Sequence, residues 1–412
     1  MVRGKRCASP VFPIWQPGLH SICWLAERTA GWQDGRSRWW TGGIVAPTPV
    51  IPRYHGPNVR GLIPAFLGPA GSPKPDWIPT IAAQAQQVVL LVVDGLGWQQ
   101  LESGRQLAPT LAAMAGGPIT TVAPTTTATA LTSITTGLTP GEHGLIGYRM
   151  DVGGDVLNVL RWHTDHGGDA RRAHEPRRMQ PFEPFMGDAV PVVSKAELES
   201  SAFTAAHLRG SVPRGWRVAS SLPVIVGELV RGGAPFVYAY YDGIDKVAHE
   251  RGFGPYYDAE LATVDRLVAS VIEALPTGAA LVVTADHGQV QVGQNTLPPA
   301  AALQRFVHHS SGEGRFRWLH ARPGAAADLA AAATEAHSDI AWVVTRQQML
   351  DEQWFGPVVS PPVQARLGDV ALVAHADVSF DDPSDSGPYP LVCRHGSLTA
   401  AEVYVPLIAA QA

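Results

Sequence analysis

Cysteine is scarce in this chain: Cys7, Cys23 and Cys393 are the only ones in 412 residues, and no two are close together. That excludes a disulfide framework and a close-spaced zinc motif, and it suits a reducing compartment. Charge is sparse too, at 16% of residues with a net of −5, and only Arg171, Arg172, Arg177 and Arg178 form a loose basic group, read here as a solvated loop. No basic surface for a nucleic-acid polymer is encoded. No apolar run reaches the length of a membrane span, so no membrane segment is expected. Two common enzyme motifs are also missing. Gly95 and Gly97 are followed by Gln100 rather than by the third glycine of a dinucleotide fingerprint, and His249 and Glu250 lead to Phe253 rather than to the second histidine of a metalloprotease. What is present is a 45% hydrophobic composition rich in alanine, glycine and proline, which suits one large globular α/β unit carrying an inserted lobe.

The first 45 residues hold Trp15, Trp24, Trp32, Trp39 and Trp40 but no helical or strand period, and Pro10, Pro13 and Pro17 interrupt any signal-peptide core. We expect an irregular extension there, either poorly ordered or the product of a start codon set too far upstream, and, with no signal peptide seen, a cytoplasmic protein. Regular structure is expected from about Val50.

Val88 to Val93 is a run of six apolar residues that suits a strand buried on both faces, and it stops at Asp94, followed by Gly95 and Gly97. The pattern returns twice. Phe236 to Tyr241 runs into Asp242 and Asp245, and Ala279 to Thr284 runs into Asp286 and His287. Open α/β sheets bind ligands at the carboxyl ends of their strands, so three such strands deliver their acids to one sheet edge. Carboxylates gathered there repel one another unless cations neutralise them. Asp245 and His249, four apart, share one helical face at metal-ligand spacing, and His395 arrives late beside Gly396.

Between the first two strands, Pro124 is placed to start a helix and Gly137 to end it, with Thr125 to Thr136 between. So many β-branched residues make a poor helix by propensity, which implies that hydroxyls or tight packing are wanted. Met150 to Gly233 is irregular, with short elements at 189–193 and 222–230, and is expected to cover one end of the sheet. The helix ended by Pro276 is expected to pack, with Asp265 solvated. From Gly288 to Ser386 the pattern reads as a βαββ-like inserted block with strands at 316–321, 340–345 and 369–375. Its histidines His308, His309, His320 and His375 are taken as mostly ordinary.

Taken together, DG after a strand, P-T-x-T continuing to TGL-x-P-x-x-HG, D-x-x-x-H after a second strand, ADHG after a third and a late HG resemble the nucleotide pyrophosphatase/phosphodiesterase branch of the alkaline phosphatase superfamily. The resemblance spans roughly residues 50 to 412. It implies a three-layer α/β sandwich around a mostly parallel sheet, with a catalytic core over 46–290 and 386–412 and a smaller inserted α+β lobe over 291–385. It also implies two divalent metal ions, zinc by ligand type, with manganese or another divalent ion an alternative. One ion falls to Asp94, Asp286, His287 and the nucleophile, the other to Asp245, His249 and His395. The P-T-x-T match puts the nucleophile at Thr127, with Thr126 and Thr125 as lesser candidates, and the implied course runs through a phospho-threonine. The implied partner is a small phosphodiester or nucleotide substrate.

Two departures from the eukaryotic pattern stand out. Thr126 replaces a lysine, and Tyr148 stands where an asparagine helps hold the phosphoryl group, making Tyr148 a candidate substrate contact. His143 is read as structural. The C/S-x-P-x-R segment of sulfatases is absent around Thr127. A phosphomonoesterase of the same superfamily and a non-catalytic metal-binding protein stay open as alternatives.

Overall fold

The structure, a computed structural model, describes residues 47–69, 71–382 and 390–412. The extension expected over residues 1–45 lies outside them. Two of the three acid-tipped strands flank the third in parallel: Gln87–Val93 pairs with Phe236–Tyr241 on one side and with Ala279–Thr284 on the other. They are the centre of a seven-stranded sheet in the order Ala115–Thr120, Tyr404–Gln411, Ala279–Thr284, Gln87–Val93, Phe236–Tyr241, Pro191–Val193, Val212–Pro213. Tyr404–Gln411 alone runs against its neighbours. The apolar runs explain the placement. Val89 to Val93 are fully buried, as are Leu281 to Val283, and each such side chain contributes about 1.5–3 kcal/mol relative to exposure. This is the three-layer α/β architecture around a mostly parallel sheet.

Register carries the acids to one level. Val93 faces Tyr241 and Val92 faces Thr284, so Asp94, Asp242 and Asp286 stand side by side, the first two one step beyond their strands and Asp286 two. Adjacent strands are about 4.8 Å apart, which sets the spacing of that row.

Several elements differ from expectation. The 150–233 region does more than cover the sheet, because Pro191–Val193 and Val212–Pro213 extend it by two parallel strands. Asp265 is not solvated; it is buried, and its Oδ1 accepts the Leu111 amide at 2.8 Å, which ties the long Pro255–Ala274 helix to the short Pro109–Ala113 helix. The inserted block keeps the expected βαββ order, Phe316–Ala321, the Ala326–His337 helix, Ala341–Thr345 and Val370–Ala374, but one more strand precedes it and completes a four-stranded antiparallel sheet ordered Val307–Glu313, Phe316–Ala321, Val370–Ala374, Ala341–Thr345. The added strand is polar and half-buried, which hid it from hydrophobic patterning. One face of this sheet has its own core around Leu319, Leu329 and Leu372, and Phe316 and Trp318 join the main core.

A buried ion pair fastens the block. Arg315 donates to both oxygens of Glu402 at 2.9 Å and to the carbonyls of Ala376 and Val378, and both side chains are fully buried. Glu402 also accepts the amide of Ser397, two residues after His395. Removing one partner strands a charge. Glu402→Ala is expected to lower unfolding free energy by about 3–5 kcal/mol in urea titration, whereas Glu402→Leu combined with Arg315→Met is expected to cost much less.

Candidate active site

The helix after Thr126 begins at Thr127 and ends at Gly137, whose φ of 72° and close approach to Pro64 suit glycine. Its threonines are buried, and Thr132, Thr135 and Thr136 return their hydroxyls to the carbonyls of Ala128, Leu131 and Thr132. Thr127 differs, because its Oγ1 lies 3.1 Å from His287 Nε2. Thr126, the residue before the helix, makes no side-chain cap, so the first-turn amides are left without a capping acceptor. Thr125 is committed elsewhere: its hydroxyl donates to Ser397 O and accepts the Gly396 amide.

Asp94, Asp286 and His287 form one compact buried group. Each carboxylate has one oxygen satisfied and one bare. Tyr240 donates to Asp94 Oδ2, while Asp286 Oδ1 accepts the amides of Gly95 and His287 at 3.0 and 3.1 Å. Asp94 Oδ1 and Asp286 Oδ2 are buried without a hydrogen bond and sit 3.4 and 3.5 Å from the same His287 Nε2. Gly95, at φ 75°, permits this closeness; a Cβ there would come within 2.8 Å of Gln289 Nε2.

Asp245, His249 and His395 form a second group. Asp245 Oδ1 lies 3.2 Å from His249 Nε2 and 3.9 Å from His395 Nε2, and it accepts from Gln289 at 2.6 Å. The groups adjoin, since the His395 ring stacks on His287 with centroids 3.6 Å apart. The short pairing of Val290–Gln291 with Cys393–Arg394 delivers His395 to this place.

The electrostatics test whether cations fit. Burial, then the charges of Asp286 and Asp245, hold Asp94 well above the usual carboxylate range, and burial raises Asp286 and Asp245 as well. Burial lowers His287, and burial with His287 and His249 drives His395 well below its ordinary value. The three imidazoles direct Nδ1 at backbone carbonyls, His249 at Cys393, His395 at Thr125 and His287 at Gly288. A carbonyl accepts only, so Nδ1 of each ring carries a proton; burial favours neutral His287 and His395, whose Nε2 atoms then keep lone pairs facing the carboxylates. Lone pairs converging on bare carboxylate oxygens repel one another without a cation between them. Imidazoles oriented in this way, with mixed N/O donors, fit divalent ions of the zinc type.

The structure shows some residues that sequence reasoning passed over. Lys195 and Lys246 are two of them: at 2.7 and 2.5 Å they draw Asp242 out of the acid row, and Lys195 lies in the region expected only to cover the sheet. Tyr240 and Gln289 orient Asp94 and Asp245, and nothing in an apolar strand or a residue after ADHG marks them out. Tyr148 is not among the residues lining the cavity beside Thr127; its amide donates to Glu313 Oε2. That cavity, about 250 Å³, is mostly apolar, with Leu131, Leu160, Phe203, Leu208 and Tyr238 in its wall.

His143 is buried, takes the Leu145 amide on Nδ1 and meets Ser133 Oγ at 2.8 Å, and burial lowers its pKa to about 3. His207, in the cavity wall, is lowered to about 4 for the same reason. Both must fold neutral, so their contribution is complete above the unfolded value of about 6.5 and is lost as pH falls from there toward 4 and 3. Each should cost about 1.4 kcal/mol per pH unit in that window. Thermal melting between pH 7 and 4 should show a steep fall in Tm that is shallower in His143→Asn.

Residues 88–398 match the family described as type I phosphodiesterase / nucleotide pyrophosphatase. No curated protein matches the chain by sequence. Among solved structures the chain is similar to human ectonucleotide pyrophosphatase / phosphodiesterase 5, with TM-score 0.59 and 16% identity over 79% of this chain and 87% of that one. It is similar to the inactive murine form of that protein in complex with AMP, with TM-score 0.59 and 15% identity over 79% and 87%. Phosphonoacetate hydrolase from Sinorhizobium meliloti in complex with phosphonoacetate gives TM-score 0.57 and 18% identity over 79% and 90%. Among the described residues no helix is long and apolar enough to cross a membrane. The chain belongs to the type I phosphodiesterase / nucleotide pyrophosphatase family, and with it to the phosphoester-hydrolysing enzymes.

Proposed function

We propose that the protein hydrolyses phosphodiester or pyrophosphate bonds of small nucleotide-type substrates, with Thr127 as the nucleophile and two divalent ions. The observation that carries the reading is Thr127 Oγ1, 3.1 Å from His287 Nε2, beside two buried carboxylate oxygens that receive no hydrogen bond. Asp94, Asp286, His287 and Thr127 would hold one ion; Asp245, His249 and His395 would hold the other. Such ions lower the pKa of the threonine hydroxyl and stabilise charge on the phosphoryl oxygens.

The remaining chemistry belongs to the chain. His287, neutral and fixed by its Nδ1 contact to Gly288 O, keeps Nε2 3.1 Å from Thr127 Oγ1 and beside the two bare carboxylate oxygens, so imidazole and hydroxyl would meet the same ion. The uncapped amides of the first turn, at the positive end of the helix, are donors for a non-bridging phosphoryl oxygen. They are candidates for the role the family assigns to the asparagine that Tyr148 replaces. The apolar cavity beside Thr127 excludes water around the organic part of the substrate. In this reading residues 46–290 and 386–412 form the catalytic core. The lobe over 291–385 braces His395 through the Arg315–Glu402 pair. AMP bound to the murine relative accords with a nucleotide-type substrate.

Comparing bis(p-nitrophenyl) phosphate with p-nitrophenyl phosphate, with and without a chelator, tests the reading. The diester is expected to turn over faster, with activity lost on chelation and restored by zinc or manganese. Hydrolysis that survives chelation contradicts the metal requirement. A strong preference for the monoester would move the assignment to a phosphomonoesterase.

A further inference from the structure

A third group of metal-ligating side chains lies apart from the two already described. Asp151, His309 and His320 each offer a ligand atom, all within 4.8 Å of one another. They come from three strands. Asp151 sits on Arg149–Val152, which packs against Val307–Glu313, and His309 on that strand is directly opposite His320 on Phe316–Ala321. Directly opposed residues project from the same face of an antiparallel pair, and here the two rings stack with centroids 4.1 Å apart and planes 9° off parallel. Asp151 Oδ2 meets His309 Nε2 at 2.6 Å, and His320 Nε2 is 2.9 Å from Ser311 Oγ. Asp151 and His320 are buried, while His309 is about a quarter exposed, which leaves an approach from solvent.

An isolated ion pair needs one imidazole and one carboxylate. A second, buried imidazole held face to face with the first adds nothing to that pair, and its hydroxyl partner fixes its ring much as the outer partner of a metal ligand does. Two imidazoles and one carboxylate are the donor set of a zinc-type ion with an open fourth position. Ligand atoms of one tetrahedral ion stand roughly 3.3 Å apart, so Asp151 and His309 need to part by under about 1 Å to share one.

We propose that Asp151, His309 and His320 bind a third divalent cation of the zinc class, which clasps the Arg149–Asn158 hairpin to the inserted four-stranded sheet. The clasp adjoins the site without contributing a group to it. The same inserted strand that carries His309 ends at Glu313, which accepts the Tyr148 amide and packs beside Gly396. None of the three residues belongs to the catalytic groups, so the proposal stands independently of the assigned reaction.

The test is an ion count per chain by elemental analysis after equilibration of the full-length protein with zinc and desalting. It compares wild type with His309→Gln/His320→Gln and with Asp151→Asn. The expected result is one ion fewer in each variant, diester hydrolysis unchanged, and a smaller rise in Tm on adding zinc. Asp151→Asn is near-isosteric and retains a polar partner for His309, so it reports even if the double variant folds poorly. Equal ion counts in wild type and Asp151→Asn, with the same Tm rise, would overturn the clasp and leave an ordinary ion pair. A low count in wild type with the one-ion difference intact supports the clasp and counts against the two-ion catalytic centre alone.

Discussion

Thr127→Ala is expected to lower kcat/KM for bis(p-nitrophenyl) phosphate by about 10⁴-fold or more, the scale seen when a covalent nucleophile is removed. The loss is large because no neighbouring hydroxyl can take over. Thr125 is locked between Ser397 and Gly396, and of the three threonines it is Thr127 whose hydroxyl meets His287. Thr127→Ser keeps the hydroxyl and is expected to retain substantial activity. Since Thr127 is 8% exposed at the head of a well-packed helix, the alanine variant should fold, and its unchanged Tm distinguishes lost chemistry from lost structure.

Asp94→Asn is expected to separate activity from stability. Burial and the nearby Asp286 and Asp245 hold the Asp94 carboxyl well above its unfolded value, so ionisation at neutral pH costs the folded state free energy whenever no cation is bound. For a carboxylate raised in this way, stability is fullest below the unfolded value of about 4 and falls as pH rises through the folded one. Asparagine keeps the shape and the Tyr240 contact without the charge. In chelator the variant should therefore melt higher than wild type, by about 2–4 °C for each kcal/mol relieved. In zinc the order should reverse, and diester hydrolysis should fall by about 10³-fold or more through loss of an anionic ligand. Differential scanning fluorimetry in both conditions checks the sign. A variant less stable than wild type in chelator would mean that Asp94 is compensated by something other than a cation.

Much of the sheet edge was legible because the cues were local and repeated. A buried six-residue run followed within two residues by an acid, three times over, specifies both the strands and the level at which Asp94, Asp242 and Asp286 stand. Aspartates alone did not reveal which of the row would turn away. Asp242 leaves it because Lys195 arrives from a segment 47 residues earlier with no periodic signature, a long-range pairing that no window along the chain contains. Asp265 was misread for the related reason that its partner is a backbone amide at Leu111, and amides are the same at every residue. The strand Val307–Glu313 escaped because its pairing comes from Phe316–Ala321 and its outer positions are His and Ser. Tyr240 passed as one more aromatic in FVYAYY, yet alternation along the strand is what turns its hydroxyl toward Asp94.

The claim on which the rest depends is that Thr127 attacks phosphorus. Acid-quenching the enzyme during turnover of bis(p-nitrophenyl) phosphate, then mapping its peptides by mass spectrometry, measures this directly. Phosphate esterified to Thr127 in wild type, and on no residue of Thr127→Ala, is the predicted result. Phosphorylation of a different residue, or a burst of nitrophenol of equal size in wild type and Thr127→Ala, would contradict it.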